Sequence, residues 1–331
     1  MRGAARLLLQ RREAGIAVMI VLFCAVAGLI QPRFLSLDTL RIILLLVPLI
    51  MIAAMGEMMV LVARHVDLSI GSMMALAAII TGLMFKFLPG VPWYFGFVVS
   101  VGIGAGLGLL NGLAVTLFRL PSIIVTLGTL SMYRGLVFIV SGSRQVDRQF
   151  IPQPLIALSQ TSPIFGIPWI IFIAFGVALL VYLFTMHTRV GRQIYALGSN
   201  PTAAPLRGIR VVPVTLLVFS LSGALAGLAG ILYASRFGYV NPSNTGAGFE
   251  FTVIAAVVIG GVSINGGVGS VLGTVLGVLL LGCVSAALPL LGISAFWQNA
   301  IYGGVILAAL VIDRTVRQSG DASLAAARSA A

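Results

Sequence analysis

The chain has 331 residues, 60% of them hydrophobic and 8% charged, with a formal net charge of +12. A soluble domain carries ~25% charged residues, and so few charges cannot cover a water-facing surface of this size. The composition excludes a soluble enzyme, a disordered chain and a nucleic-acid binder, and it makes lipid the solvent for most of the molecule.

At about 20 residues per crossing there is room for about ten membrane helices. The first apolar run, 14–30, follows Arg2, Arg6, Arg11 and Arg12 and ends at Pro32-Arg33. A cleaved signal peptide is the competing reading of this run, and it is disfavoured because the same membrane pattern continues at once. Further runs cover 39–63, 69–87, 93–118, 122–141, 164–186, 213–235, 250–264, 267–290 and 296–312. The expected fold is therefore all-α: a polytopic bundle of about ten transmembrane helices with both termini inside. One transmembrane domain would span 1–313, and a short cytoplasmic tail 314–331. Thirteen basic residues then lie inside and seven outside, as the positive-inside bias requires. Cys24 and Cys283 sit within apolar runs without metal or disulfide spacing and read as small buried hydrophobes. His65 and His187 fall at span ends.

Glycines recur at four-residue spacing. Gly104, Gly108 and Gly112 form one ridge, Gly223 and Gly227 a second, and Gly269, Gly273 and Gly277 a third. Such ridges let helix backbones approach in lipid, where burial alone drives no association. A moving interface and tight static packing are both compatible with them.

Two segments look interrupted. Ile52-Ala53-Ala54 and Glu57 precede Arg64-His65-Val66-Asp67-Leu68-Ser69, after which an apolar helix restarts; Ser69 or Asp67 could cap it. Ile254-Ala255-Ala256 likewise precedes Gly260-Gly261-Val262-Ser263-Ile264-Asn265 and a new helix near Gly269-Ser270. Paired interruptions in two halves, here a loose internal repeat, point to a transport path; ordinary cytoplasmic turns are the alternative. Glu57 is expected to face the interior and to need a partner. Arg64, two turns on, is the nearest candidate and Arg134 an alternative, and the pair could be structural or gating. The candidate path or gating set is Glu57, Arg64, Asp67, Ser69, Asn111, Thr126, Thr129, Ser131, Gly260, Gly261 and Asn265. Its hydroxyl and amide groups suit a neutral polyol, or equally helix-to-helix hydrogen bonds.

The chain has no phosphate-binding Gly-x-x-x-x-Gly-Lys-Ser/Thr loop, and Lys86 is its only lysine. Nor does it show a pattern of catalytic or metal-ligating residues, so an embedded enzyme has no support and no cofactor is expected. Energy must come from ions or from a separate motor. The polar, basic loop at about 188–212 favours a motor. Asn200 as N-cap, Pro201 at the first position and Gly208 as stop predict a short cytoplasmic helix over 201–207, limited by Pro205.

Four stretches carry a family resemblance: Val66–Ser72; Pro121–Thr129 with Arg134-Gly135; Gly191–Pro201 through Ala203-Ala204 and Gly208-Ile209; and Ile254–Gly261 through Gly266-Gly267 and Gly269-Ser270. In these the chain resembles the membrane permeases of bacterial ATP-binding-cassette importers for monosaccharides, the ribose, rhamnose and autoinducer-2 group. The resemblance implies a permease subunit of the inner membrane. It implies a second permease, identical or related, with two cytoplasmic ATPase subunits and a periplasmic sugar-binding protein. It assigns ATPase coupling to Asn200, Pro201, Thr202, Ala203, Ala204 and Gly208. Members usually have an acidic residue where this chain has Thr202, and usually lack a proline at 205. A self-sufficient ion-coupled sugar carrier is the rival reading.

Overall fold

The structure is a computed structural model that describes residues 12–162, 166–294, 297–298, 300–304 and 306–307. The arginines at 2, 6 and 11, residues 308–312 of the last apolar run and the tail 314–331 lie outside the described residues. Eleven α-helices carry labels here: α1 (Arg12–Ile30), α2 (Leu37–Val62), α3 (Ile70–Phe87), α4 (Phe95–Leu117), α5 (Ser122–Ser141), α6 (Gln153–Gln160), α7 (Trp169–His187), α8 (Arg189–Ser199), α9 (Val211–Phe237), α10 (Phe249–Ile259) and α11 (Val271–Leu290). Eight of them are long and apolar enough to cross a membrane: α1 to α5, α7, α9 and α11. At 1.5 Å per residue, the 11-residue α10 is about 16 Å long, about half of a ~30 Å hydrocarbon core.

Local chemistry sets several helix starts. The Ser36 hydroxyl accepts the Thr39 N–H at 3.3 Å, the Thr188 hydroxyl the Gly191 N–H at 2.9 Å, and the Ser270 hydroxyl the Gly273 N–H at 3.0 Å, each filling one vacant donor of a first turn. At its far end α9 stops at Gly238, whose φ of +72° suits a residue without Cβ.

The bundle is built around α2, α3 and α9. From Val47 to Ala63, α2 is buried without interruption. The glycine ridges make close backbone contacts. A Cβ on Gly104 would overlap the Gly223 carbonyl, and one on Gly223 the Gly104 carbonyl; Gly108 meets Phe219 and Gly227 meets Ser100 in the same way. The Ser100 hydroxyl donates to the Gly227 carbonyl at 2.7 Å across this seam. Gly273 and Gly277 of α11 abut the Gly260 and Ala256 carbonyls. Backbone against backbone is the lipid-phase substitute for a hydrophobic core.

One end of the bundle gathers the α2–α3 turn, α8 with the residues after it, and the 260–270 turn. At the other end an antiparallel bridge joins Val146 and Val240, and the Ser159 and Ser235 hydroxyls meet at 2.8 Å. The connection between α5 and α7 contains a packed helix, α6, with Leu155 and Ile156 buried.

Candidate functional site

The α2–α3 connection is not an interrupted helix but a turn that reverses the chain between two full-length spans. Arg64 adopts a left-handed backbone, φ +69°, an unusual conformation for a residue with a Cβ. The residues after it fold back along α2, so that the Asp67 N–H reaches Glu57 Oε1 at 3.2 Å. Asp67 Oδ1 accepts the Ser69 N–H at 3.0 Å and the Ser69 hydroxyl at 2.7 Å. Asn111 of α4 donates to Ser69 Oγ at 2.8 Å and accepts the Tyr133 hydroxyl of α5 at 3.1 Å. Next to this chain of bonds, Ser122 Oγ accepts the Val66 N–H at 3.0 Å, and the Thr126 hydroxyl reaches the Val66 carbonyl at 3.2 Å. The break is therefore clamped by side chains of α2, α4 and α5.

The structure thus joins Glu57, Asp67, Ser69 and Asn111 in one network and seats Thr126 beside it; all five are buried. It corrects the expected partner of Glu57. Arg64 is exposed, while Arg134 donates to the Thr245 carbonyl at 2.8 Å. Glu57 instead takes the Asp67 amide, because the chain reversal that turns Arg64 outward brings that N–H over the carboxyl. Glu57 Oε2 and Asp67 Oδ2 have no hydrogen-bond partner among the described residues. Ser69 makes no side-chain cap to α3. Its hydroxyl goes to Asp67, and it is Asp67 that accepts an N–H at the helix start.

Thr129 is half-buried and bonded to its own helix at the Thr126 carbonyl, and Ser131 is exposed; both lie apart from the network. Gly260, Gly261 and Asn265 belong to the second turn. Tyr133 escaped sequence reasoning, although it lies seven residues beyond Thr126 and so on the same helix face. So did Ser122, which reads as a helix-start residue until it is seen bonding Val66. In the turn outside the helical spans, His65 faces Thr215 Oγ1 at 3.4 Å, and burial pushes its pKa down to about 4.

At the same end stands the 188–210 segment. The regular helix there is α8, over Arg189–Ser199, not the predicted 201–207 helix. Residues 201–204 form turns and Pro205–Arg207 a single 3-10 turn. Pro205 supplies no N–H and its ring crowds the preceding turn, so an α-helix cannot extend through it. Asn200 organises the start: its Oδ1 accepts the Ala203 N–H at 3.0 Å and the Thr202 hydroxyl at 2.8 Å. Gly208, φ +78°, closes the lobe with its N–H on the Pro205 carbonyl at 3.0 Å. Ala204 is buried, whereas Asn200, Thr202 and Gly208 are exposed and Pro201 and Ala203 half-buried; Leu206 projects with 88% of its surface exposed.

The lobe stands on a closely packed base. A Cβ on Gly198 would collide with the Val62 carbonyl, which accepts the Gly267 N–H at 2.9 Å. The Tyr195 hydroxyl donates to the Gly269 carbonyl at 3.0 Å. Val62 is the last residue of α2 before the first break, and Gly267 lies in the second. Both turns and the lobe's supporting helix therefore meet through main-chain contacts.

Comparison with known proteins gives a consistent picture. The chain is 36% identical over 310 residues to the autoinducer 2 import system permease protein LsrC of Yersinia enterocolitica, covering 93% of this chain and 84% of that protein. It is 36% identical over 309 residues to the LsrC of Salmonella typhimurium, covering 93% and 87%. A solved chain described as an inward-facing conformation of a metal-chelate type ABC transporter shares the fold, with a TM-score of 0.50 at 19% identity over 91% of this chain and 98% of that one. The profile of the family described as branched-chain amino acid transport system / permease component matches residues 39–310. The chain belongs to that family, as a multi-pass membrane permease subunit of an ATP-binding-cassette importer.

Proposed function

We propose that this permease, paired with a second identical or related permease, forms the path by which a small sugar-like solute of the autoinducer-2 or monosaccharide class crosses the inner membrane. An external binding protein delivers the solute, and two cytoplasmic ATPase subunits drive the cycle through the 200–208 lobe. The observation that carries this reading is the lobe's mounting. It is exposed at its tip, and at its base α8 packs through Gly198 on the Val62 carbonyl, which accepts the Gly267 N–H and so joins the two turns, while Tyr195 bonds the Gly269 carbonyl. A push on the lobe reaches the breaks without crossing a flexible link. The solute assignment is supported by what the similar permeases are named for.

In this reading the lobe end is cytoplasmic. Exposed Arg64, Arg119, Arg207 and Arg210 lie there, as the positive-inside bias requires. Ten crossings, with α10 and the last helical stretch counted among them, bring both termini to that side. Glu57, Asp67, Ser69, Asn111 and Thr126 hold the first break in a defined shape and act on gating through it. Thr129 and Ser131, on the open side of α5, face the path, and Gly260, Gly261 and Asn265 shape the second break beside Arg64.

The test is Gly208→Val. Among the described residues no atom lies within 4 Å of a Cβ built there, so their packing is untouched, but the left-handed φ costs a β-branched residue about 1–2 kcal/mol or forces the lobe to rearrange. With the ATPase and binding protein present in proteoliposomes, the variant is expected to hydrolyse ATP while solute uptake falls about tenfold. Uptake at the wild-type rate would remove the lobe from the mechanism. Concentrative uptake by this chain alone, driven by an ion gradient, would establish the carrier reading instead.

A further inference from the structure

At the end of the bundle opposite the lobe, a cavity of about 400 Å³ opens between α2, the last turn of α9, the 244–249 segment, α10, α11 and the helical residues near 300. One wall is apolar, from Leu46, Leu49 and Ile50 of α2 with Phe249. The polar groups among the remaining lining residues are Tyr233, Arg236, Asn244, Thr252, Gln298 and the Ser285 and Tyr302 hydroxyls, which meet at 2.6 Å. No carboxylate is among the described lining residues. Arg236 stands out. An arginine one residue from a helix end ordinarily extends its head into water, but this one turns inward. Its guanidinium lies 4.9 Å from the Phe237 ring, and Nη1 is buried without a hydrogen-bond partner among the described residues. Glu250 does not answer this charge: its carboxylate lies against Gly71 of α3.

A buried guanidinium nitrogen with no acceptor is costly, and in native proteins such a group signals a missing partner. We propose that this cavity is a binding site for a phosphate group, held by Arg236 and oriented by the surrounding hydroxyl and amide groups. The number of donors fits a tetrahedral anion with several oxygens. Phosphate at this place has two sources, free inorganic phosphate and the headgroup of a phospholipid. The apolar α2 wall and the location at the end of a 27-residue span, with Trp297 62% exposed nearby, give a headgroup room for its acyl chains.

Native mass spectrometry of the purified full-length chain tests the site. After detergent washing, the protein is reloaded from phosphatidylglycerol vesicles, from vesicles of a phosphate-free glycolipid, or with inorganic phosphate in detergent alone. The wild type is expected to retain one phosphate-bearing species and no glycolipid. Retention from the vesicles alone identifies a lipid headgroup; retention from inorganic phosphate as well identifies the free anion as a ligand. Arg236→Gln should bind about tenfold more weakly or worse, the effect of losing one charge-assisted hydrogen bond. Ala247→Phe, at an exposed lining residue, leaves Arg236 and the bundle packing in place and should block the cavity. A wild-type protein that retains no phosphate-bearing species overturns the proposal. So does undiminished retention by folded Arg236→Gln, or by Ala247→Phe.

Discussion

Replacing Asp67 with alanine and with asparagine separates hydrogen-bond geometry from charge at the first break. Asp67 Oδ1 accepts the N–H and the hydroxyl of Ser69, at 3.0 and 2.7 Å, in a fully buried site. Alanine leaves both donors without an acceptor. A buried unsatisfied donor costs about 1–3 kcal/mol, so Asp67→Ala should lose about 2–6 kcal/mol. Interhelical hydrogen bonds within membranes average only ~0.6 kcal/mol, which sets a floor near 1 kcal/mol for the two. Asparagine is different. Its amide oxygen takes the place of Oδ1 and keeps both bonds, while its NH₂ replaces Oδ2, the oxygen that has no partner now. It also removes one of two adjacent carboxyl groups that no basic side chain contacts among the described residues. Asp67→Asn should therefore fall within about 1 kcal/mol of the wild type, on the stabilised side if the carboxylates repel. Unfolding in mixed dodecylmaltoside–SDS micelles, followed by tryptophan fluorescence, gives the order wild type ≈ Asn, then Ala. An equal loss in both variants would show that the carboxylate charge holds the turn. An alanine variant as stable as the wild type would mean that the network does not clamp the break.

Two other perturbations probe the packing. Gly223→Ala drives a Cβ into the Gly104 carbonyl, backbone against backbone, so no side chain can move aside; a loss of about 3 kcal/mol is expected, high in the range for overpacking. Gly102→Ala, on α4 with nothing within 4 Å, should be neutral or stabilising by about 1 kcal/mol from helix propensity; equal thermal inactivation of the two in detergent would refute the seam. Cys24 of α1 and Cys283 of α11, 259 residues apart, place their sulfur atoms 3.9 Å from each other as free thiols. A disulfide needs ~2.05 Å, within reach of a small rotamer change, so iodine or copper–phenanthroline should remove both thiols from maleimide labelling together. Persistence of both under oxidation would mean that α1 does not pack on α11.

Much of the architecture was legible in the linear pattern, and it was the part governed by the solvent. Apolar runs gave most of the crossing helices to within a few residues, because every backbone group in lipid has to be satisfied within its own helix. The four-residue glycine spacing marked the α4–α9 seam for the same reason: without a hydrophobic drive, close approach depends on small side chains. The 201–207 helix failed because Asn200, Pro201 and Gly208 are equally good signals for a lobe of turns, and Pro205 decided between the two. Glu57 was recognisable as a buried acid, but periodicity assumed that the chain continued as a helix through Arg64 when it named that residue as partner. The left-handed Arg64 reverses the chain and replaces a side-chain cation with a main-chain amide.

Sequence alone thus determined the solvent and most of the crossing helices, which follow from composition and apolar spacing, and the resemblance of four stretches pointed to the family. Only the tertiary structure decided which groups meet: Asn111 and Tyr133 around Asp67, Val62 with Gly198 and Gly267, Cys24 with Cys283, and an Arg236 turned inward. Those pairings join helices far apart in the chain, and they depend on how the backbones pack and rotate against one another, which no local pattern records.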